Sequence, residues 1–449
     1  MMRKLFLVIV ALALCVGLLT ACGKTNQSVG GPGGSHPPNG TPPSGQGGGN
    51  TPPGGGGFQT ETNGTSATTL SSSTSKSGAT YASTKTDQNA LRVQSGAKVS
   101  LSNVTITKTG NSSNTNNSDF YGMNAGILVR DKSDLTLTGG SITTDAAGGN
   151  GLFVYNTGST ATVSGTKIRT SSNNSGGIEV AGGGSITASD LDIITQGNSA
   201  AAIRSDRGGG TLKVTGGSYV TNGTGSPAVY STANINVADA MLIAHNSEGV
   251  VIEGNNAVAL TSCTVTGAMK GTYGSSSGEN IHSIMIYQSM SGDAAQGGGS
   301  FSATGGKIIG TKGDLFYVTN TIATINLTDV MFNNAAGGNL LTVAGNNGSR
   351  GWGTAGSNGG KCTLTASKQT LAGTISVDKI SSLDLILKNG STFTGTVNAT
   401  AAAGTVRMTL ASGCKWVLTG NAHLSSFSGS ASSITTGGHH VYVNGKQLV

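Results

Sequence analysis

The amino-acid sequence predicts an all-β solenoid, a parallel β-helix in which each coil of about 21 to 26 residues contributes three short strands. A motif of two small residues followed by an apolar one recurs through the middle of the chain, and its apolar residue returns after 25, 26, 25, 26 and 21 residues. The series is Ile127, Leu152, Ile178, Ile203, Val229 and Val250, continued over longer gaps by Met285, Phe316 and Leu341.

The second observation is the pattern within one repeat. Residues 200–226 hold three runs rich in β-branched residues, separated by Gly, Asn, Asp and Ser at the corners. The runs alternate with period two and are too short for helices. Stacked coils would pair each strand with its equivalent one repeat later, at a spacing of about 4.8 Å.

Composition is the third observation. The 449 residues include 74 glycines, while only 4% are aromatic and 10% are charged. This is unusual for an ordinary globular protein, but it suits a narrow core of small and branched side chains with tight corners. The net charge of +7 is spread over single Lys and Arg residues without interleaved aromatics, so no nucleic-acid partner is expected.

The chain begins with a basic segment and a short apolar segment. Arg3 and Lys4 precede the apolar run 5–19, and Leu19-Thr20-Ala21-Cys22 follows directly. This order resembles a bacterial lipoprotein signal with its lipobox, in which Cys22 would be the lipidated first residue of the mature protein and 1–21 the signal peptide. Gly23 in place of an acidic residue resembles the pattern for export past an inner membrane. We therefore expect a lipid anchor in the bacterial cell envelope, exposed at the cell surface or outer membrane.

Residues 22–57 form the predicted linker, because Gly, Pro, Ser, Asn and Thr dominate and almost no apolar residue is present. The β-helix domain is predicted over 58–449, with regular repeats from about residue 89. Residues 58–80 suit either a cap or more linker. A C-terminal cap is expected over about 420–449, since solenoid ends need covers.

Of the five cysteines, three remain after the signal peptide and the lipidated residue are set aside. Cys263, Cys362 and Cys414 occupy strand-like positions in coils far apart. Their separation exceeds the roughly 7 Å between Cα atoms that a disulfide tolerates. We expect three buried thiols.

Alignment of the repeats places Asp206, Glu253 and Gln288 in one column at the first corner. Asp206 and Glu253 are two coils apart, so their backbones should be about 9 to 10 Å apart, near the separation that inverting glycosidases use for two carboxyl groups. Arg207 is suited to orienting an acidic sugar. The alternative is that Asp206, Arg207 and Glu253 are corner residues that cap backbone amides and pair with neighbours.

Two long Gly-rich insertions leave from the same corner. One carries Asp293, and the other carries Arg350 and Trp352, predicted to be an exposed aromatic beside a cation and suited to a sugar ring. His282 is interpreted as a surface histidine. The pair His439-His440 is assigned to the cap, and no metal site or cofactor is expected.

The outward positions of the first strand form a largely apolar column that includes Phe153, Tyr230 and Tyr317. An exposed strip of this kind would suit a dry contact or a polysaccharide chain running along the axis. The alternative is that a loop or the N-terminal segment covers it.

The repeats over about 89–449 resemble the right-handed parallel β-helix superfamily of pectin-lyase-like fold, and within it bacterial surface lipoproteins and adhesin-like proteins more than the enzymes. That resemblance implies carbohydrate binding, adhesion or polysaccharide cleavage. The acidic clusters of pectate lyases and the sequence signatures of polygalacturonases are absent. The sequence thus favours a lipid-anchored surface protein that binds a glycan or a surface protein, with a polysaccharide lyase or glycoside hydrolase as the alternative.

Overall fold

The computed structural model describes residues 61–269, 280–335 and 337–449. The predicted signal peptide, Cys22 and the linker 22–57 lie outside the described residues. Within them the chain forms the predicted parallel β-helix, in which each coil contributes one strand to each of three long sheets. Each strand pairs in parallel with its equivalent in the next coil, as Leu152–Tyr155 does with Ile178–Ala181.

The first sheet contains the strand that follows the recurring small-small-apolar motif. Its twelve strands are Thr65–Leu70, Gln88–Val93, Ile127–Val129, Leu152–Tyr155, Ile178–Ala181, Ile203–Ser205, Val229–Ser231, Val250–Glu253, His282–Tyr287, Asp314–Thr319, Leu341–Val343 and Ile375–Val377.

The second sheet runs along the whole described solenoid. Its fourteen strands are Thr74–Ser77, Lys98–Ser102, Asp134–Thr138, Thr160–Ser164, Gly184–Ser189, Gly210–Thr215, Asn234–Ala238, Ala257–Thr261, Gly298–Thr304, Ile322–Thr328, Lys361–Ser367, Ser382–Lys388, Thr405–Leu410 and Ser426–Ser428.

The third sheet closes each coil, and a smaller sheet takes its place near the C-terminus. The third sheet contains Thr80–Ser83, Thr105–Thr109, Ser141–Asp145, Lys167–Thr170, Asp192–Thr195, Ser218–Thr221, Met241–Ala244, Thr264–Gly267, Lys307–Gly310 and Met331–Asn333. The four-stranded sheet contains Thr370–Ala372, Thr392–Thr394, Lys415–Val417 and Ile434–Thr435, and the last sheet contains Ala422–Leu424, Val441–Val443 and Lys446–Gln447.

Side-chain alternation within the strands builds the core. In Thr160–Ser164, Ala161 and Val163 are buried while Thr162 between them is exposed. The next coil repeats this with Ile186 and Ala188. Because strands pair in register from coil to coil, the inward residues of successive coils form continuous apolar columns along the axis.

The corner between the second and third sheets requires a left-handed backbone conformation. The residue directly after the second-sheet strand has a positive φ in twelve successive coils, and Gly fills the position without strain. These residues are Gly78, Asn103, Gly139, Gly165, Asp190, Gly216, Asp239, Ser262, Gly305, Asp329, Lys368 and Asn389. Gly, Asn and Asp, the residue types that tolerate this conformation best, occupy all of these positions except Ser262 and Lys368.

One short α-helix, α1 (Thr115–Tyr121), was not predicted from the sequence. The side chain of Asn114 caps its first turn by accepting a hydrogen bond of 3.0 Å from the backbone N–H of Asn117. Gly122 ends it in the left-handed conformation at φ 67°. A short 3₁₀ helix, Ala431–Ser433, lies near the C-terminus.

The register differs from the predicted one at the coil that follows residue 280. Val250 pairs with Ile284 and Val251 with Met285, so Ile284 continues the inward column and Met285 faces outward. The prediction that Met285 is the inward residue was wrong. After the long insertion before this strand, the sequence does not show which of two alternating residues continues the inward column, and a shift of one residue exchanges the two faces. Stacking also begins before residue 89, since Thr65–Leu70 pairs with Gln88–Val93.

Cys263, Cys362 and Cys414 are free and buried, as predicted. Burial raises the pKa of the Cys263 thiol, and that of Cys362 as well. Among the described residues, no helix has the length and apolar character needed to cross a membrane.

Candidate functional site

The outer face of the first sheet is covered between the third and eleventh of its strands. The outward column there is nowhere more than 8% exposed, although its side chains point away from the solenoid interior. Its members are Leu128, Phe153, Glu179, Arg204, Tyr230, Val251, Met285, Tyr317 and Thr342. The predicted aromatic strip is therefore a second buried layer rather than an exposed platform.

Three segments supply this cover: helix α1, the loop 288–297 and the loop 344–360. The C-terminal end of α1 packs closely on Leu128 and Phe153, because a Cβ atom placed on Gly122 would come within 2.8 Å of both side chains. The two loops contact each other where the N–H of Met290 donates a hydrogen bond of 3.2 Å to the carbonyl of Gly351. We call these three segments the cover.

A buried guanidinium joins the cover to the sheet. Nη2 of Arg204 is 2.7 Å from Oδ2 of Asp206, and its Nη1 is 3.3 Å from Oδ1 of Asp119 on α1. Nε of Arg204 is 3.3 Å from Oε1 of Glu179, yet both carboxylate oxygens of Glu179 lack a hydrogen bond among the described residues. We call these four residues the Arg204 cluster.

The Arg204 cluster places three carboxyl groups around one cation. Burial raises the pKa of Asp206 to about 7, against the attraction of Arg204. Burial also raises the pKa of Asp119, and it raises the pKa of Glu179 well above its usual range. Burial acts to lower the pKa of Arg204, but the three carboxyl groups outweigh it and raise that pKa. An ionised cluster would carry an excess of negative charge, so it favours holding protons.

Arg207 and Asp293 form a second link between the sheet and the cover. Nη2 of Arg207 is 2.6 Å from Oδ1 of Asp293 in the loop 288–297. The same guanidinium carbon lies 3.9 Å from the centre of the Phe120 ring on α1. Arg207 thus holds the helix and the loop together at an edge where its own side chain is 44% exposed.

Glu253 lies beneath the loop 288–297 and is fully buried. Its Oε2 accepts hydrogen bonds of 2.6 Å from the hydroxyl of Tyr230 and 2.7 Å from that of Tyr287, and its Oε1 accepts one from Ser289. Burial raises the pKa of Glu253, although these three donors favour the ionised form. Asp206 and Glu253 therefore belong to two separate buried networks, each already supplied with partners.

Gln288 is not in the column that the sequence predicts. Glu253 pairs with Tyr287 across the coils, so Tyr287 holds that position and Gln288 follows it. This is the same one-residue register change that moves Met285 outward. Gln288 is buried, and its side-chain amide donates a hydrogen bond of 2.7 Å to the carbonyl of Ser289.

Beside these networks the cover leaves a cavity of about 330 Å³, which we call the Tyr317 pocket. Its size is in the range of small-molecule sites. Aromatic, amide, hydroxyl and cationic side chains line it, and within the part of the chain that the structure describes no carboxylate does. The lining residues are Asn280, His282, Tyr317, Thr342, Ala344, Gly345, Asn346, Asn347, Arg350 and Trp352.

Trp352 is 4% exposed, so the prediction of an exposed tryptophan was wrong. Its ring packs against Tyr287 with 4.7 Å between ring centres, and the guanidinium carbon of Arg350 lies 4.4 Å from the centre of the Trp352 ring. The physical reason is that the loop 344–360 folds back onto the sheet and buries its largest apolar side chain. Trp352 and Arg350 nevertheless both line the pocket.

His282 is also buried, contrary to its interpretation as a surface histidine. Its ring lies 5.1 Å from that of Tyr317, and its Nε2 is 3.3 Å from Oε1 of Glu248. Burial alone would raise the pKa of Glu248, but its contacts with His282 and the Ser247 hydroxyl outweigh that effect and lower it to about 2.

The ten predicted site residues thus separate into three groups. Tyr317, Arg350 and Trp352 meet at the Tyr317 pocket. Asp206, Arg207 and Asp293 join the sheet to the cover, whereas Phe153, Tyr230 and Glu253 are buried beneath the cover and Gln288 is buried at the start of its loop 288–297. Thr342 belongs to the same outward column as Tyr317, as the repeat alignment predicts. Sequence reasoning missed Asn280 and the burial of His282, and the correct register of strand His282–Tyr287, which pairs His282 with Asp314, is the signal that would have placed His282.

Within 61–269, 280–335 and 337–449, no group of three or more His, Cys, Asp or Glu side chains is arranged to hold a metal ion. No protein-family model, curated protein or solved structure matches this chain. Its function must therefore be inferred from the residues of the site.

Proposed function

We propose that this chain is a lipid-anchored protein of the bacterial cell surface that binds a saccharide in the Tyr317 pocket. The observation that carries the proposal is the composition of that pocket: the Tyr317 and Trp352 rings stand beside Arg350 and the amides of Asn346 and Asn347. Sugars present apolar C–H faces and polar hydroxyls, so they suit a site that combines aromatic surfaces with a few directed polar groups.

The rigid support of the pocket favours this function. The side-chain amide of Asn346 donates hydrogen bonds to Thr319 Oγ1 at 2.9 Å and to the carbonyl of Trp352 at 3.0 Å. Asn358 donates a further hydrogen bond of 2.9 Å to the same carbonyl. The loop that carries Arg350 and Trp352 is therefore tied to the sheet before any ligand binds, which lowers the entropy cost of binding.

Binding is tested with a glycan array probed by the full-length chain purified in detergent. We expect a defined set of saccharides to bind, and Trp352→Ala to weaken that binding by about 1 to 3 kcal/mol. Because Trp352 is buried, Asn347→Ala and Arg350→Gln serve as second variants at less buried positions. Arg407→Gln, at an exposed arginine of the second sheet, is the matched control. Absence of binding to every saccharide would contradict the proposal.

The alternative, a polysaccharide lyase or glycoside hydrolase that uses Asp206 and Glu253, has less support. Both carboxyl groups are buried and already bonded to neighbouring side chains, and neither lines the pocket. Reducing-sugar and unsaturated-product assays on the saccharides that bind distinguish the two functions. Turnover that disappears in Asp206→Asn or Glu253→Gln, with binding retained, would replace binding by catalysis.

The anchoring part of the proposal depends on Cys22. Cys22→Ser should leave the protein in the soluble fraction or as uncleaved precursor, because the acceptor of the lipid is gone. The measurement is fractionation of cells that express either form. Partition of the variant with membranes, equal to that of the parent, would contradict the lipid anchor.

A further inference from the structure

Three buried polar atoms in residues that line the Tyr317 pocket have no hydrogen-bond partner among the described residues. They are Nε1 of Trp352, Oδ1 of Asn280 and Nε2 of His282. Nε2 of His282 is 3.3 Å from Oε1 of the Glu248 carboxylate. Buried polar groups are nearly always paired, and each exception needs an explanation. Of the other two atoms, Nε1 of Trp352 can only donate a hydrogen bond and Oδ1 of Asn280 can only accept one.

The orientation of the Asn280 amide follows from its other contact. Nδ2 of Asn280 is 2.7 Å from Oδ2 of Asp314. Because an ionised carboxylate only accepts hydrogen bonds, the amide nitrogen must face Asp314, which leaves the carbonyl oxygen Oδ1 without a donor. The unpaired acceptor is therefore fixed in place by the carboxylate behind it.

We infer that the saccharide of this pocket carries an acetamido group, an inference that rests on the proposed function. A secondary amide supplies one N–H donor for Asn280 Oδ1 and one carbonyl acceptor for Trp352 Nε1. Its methyl group suits the apolar surface of the Tyr317 and Trp352 rings. A neutral hexose has hydroxyl groups but no methyl group for this surface.

Charge distinguishes the acetylated sugar from its deacetylated form. A free amino sugar bears an ammonium group, which cannot accept a hydrogen bond from Trp352 Nε1. It would also bring positive charge next to Arg350, and no carboxylate is present among the described residues that line the pocket. The deacetylated form should therefore be rejected on both counts.

The inference is tested by calorimetric titration of the full-length chain in detergent with three matched tetrasaccharides. These are the β-1,4-linked tetramers of N-acetylglucosamine, of glucosamine and of glucose. We expect the acetylated tetramer to bind at least about tenfold more tightly than the other two. Trp352→Phe keeps an aromatic ring but removes the donor, and it should remove most of this preference.

The second tryptophan of the chain provides the matched control. Nε1 of Trp416 already donates a hydrogen bond of 3.0 Å to the carbonyl of Gly395, and Trp416 does not line the pocket. Trp416→Phe should therefore keep the preference of the parent. Equal affinity for all three tetramers, or a preference for the glucose tetramer, would overturn the acetamido assignment and keep saccharide binding. No affinity for these tetramers or for any saccharide on the array would overturn both.

Discussion

The first and second sheets belong to the same coils, yet their outer faces differ. On the second sheet the outward column from Ser100 to Asn236 is exposed and polar. On the first sheet the outward column over the corresponding coils from Leu128 onward is buried under the cover and includes Phe153, Glu179, Arg204 and Tyr230. The inward columns already form the core of the solenoid, so the fold does not need a second buried layer on the outer face of the first sheet. It surrounds and supports the Tyr317 pocket.

The largest difference between the two outer faces is expected when a charge is placed on the first sheet and on the second sheet of the same coil. Phe153→Asp introduces an unpaired carboxylate under the cover and should destabilise the protein by about 5 kcal/mol or more. Thr162→Asp places the same group on the exposed face of the second sheet and should cost less than about 0.5 kcal/mol. Denaturant midpoints of the two variants measure the difference. Similar midpoints would show that the cover does not bury the first sheet in solution.

The second test removes a cation from each face. Arg204→Gln leaves the carboxyl groups of Asp119, Glu179 and Asp206 buried without their counter-ion, at a cost of about 3 to 5 kcal/mol. Arg407→Gln breaks the ion pair with Asp384 on the second sheet, where the side chain of Arg407 is more than half exposed, and should change stability far less because solvent screens the pair. Chemical denaturation measures both, and an Arg204 variant as stable as the Arg407 variant would contradict the Arg204 cluster.

The Arg204 cluster also predicts how stability depends on pH. Because the folded-state pKa of Asp206 is raised to about 7, from an ordinary value of 3.8, the folded protein holds a proton that the unfolded chain releases. Stability should therefore fall as pH rises from about 4 to about 7, by roughly 1 to 4 kcal/mol, and the raised pKa of Glu179 acts in the same direction. Glu248 affects stability at lower pH. Because its folded-state pKa is lowered from 4.5 to about 2, its contribution to stability is lost as pH falls from about 4.5 to about 2.

Asp206→Asn isolates this contribution. The variant cannot ionise at that position, so its denaturant midpoint should vary less between pH 5 and pH 8 than that of the parent. Asp384→Asn, at a half-buried carboxylate on the outer face of the second sheet, is the matched control and should keep the slope of the parent. A slope that is unchanged in Asp206→Asn would show that Asp206 is not the group that takes up the proton.

The smallest effect is expected on the exposed face. Lys213 interrupts a column of hydroxyl side chains between Thr187 and Asn236. Lys213→Thr extends that column and should change stability by no more than about 0.5 kcal/mol, because the position is solvated in both forms. A destabilisation of several kcal/mol would mean that the second sheet is also covered in solution.

The sequence by itself determined the solenoid, its coil boundaries and the buried thiols, because these follow from local patterns. A period-two alternation assigns each side chain to the inside or the outside of its own strand, and the recurring Ile127-to-Val250 motif marks the start of each coil. The sequence prediction was wrong at Met285 and Gln288. A long insertion precedes this strand, so the alignment of the strand with the earlier repeats was shifted by one residue, and inward and outward side chains were exchanged.

Only the tertiary structure decided what covers the outer face of the first sheet. Arg204 meets Asp119 across 85 residues, and Arg207 meets Asp293 across 86, through segments that interrupt the repeat and follow no period. Helix α1 has capping residues that a sequence can show, but its docking on Phe153 depends on the coils that stack beside it. The same applies to Trp352, whose burial against Tyr287 joins a loop to a strand from another coil. Alternation predicts that a side chain points outward, whereas solvent exposure depends on whether a distant segment packs over it.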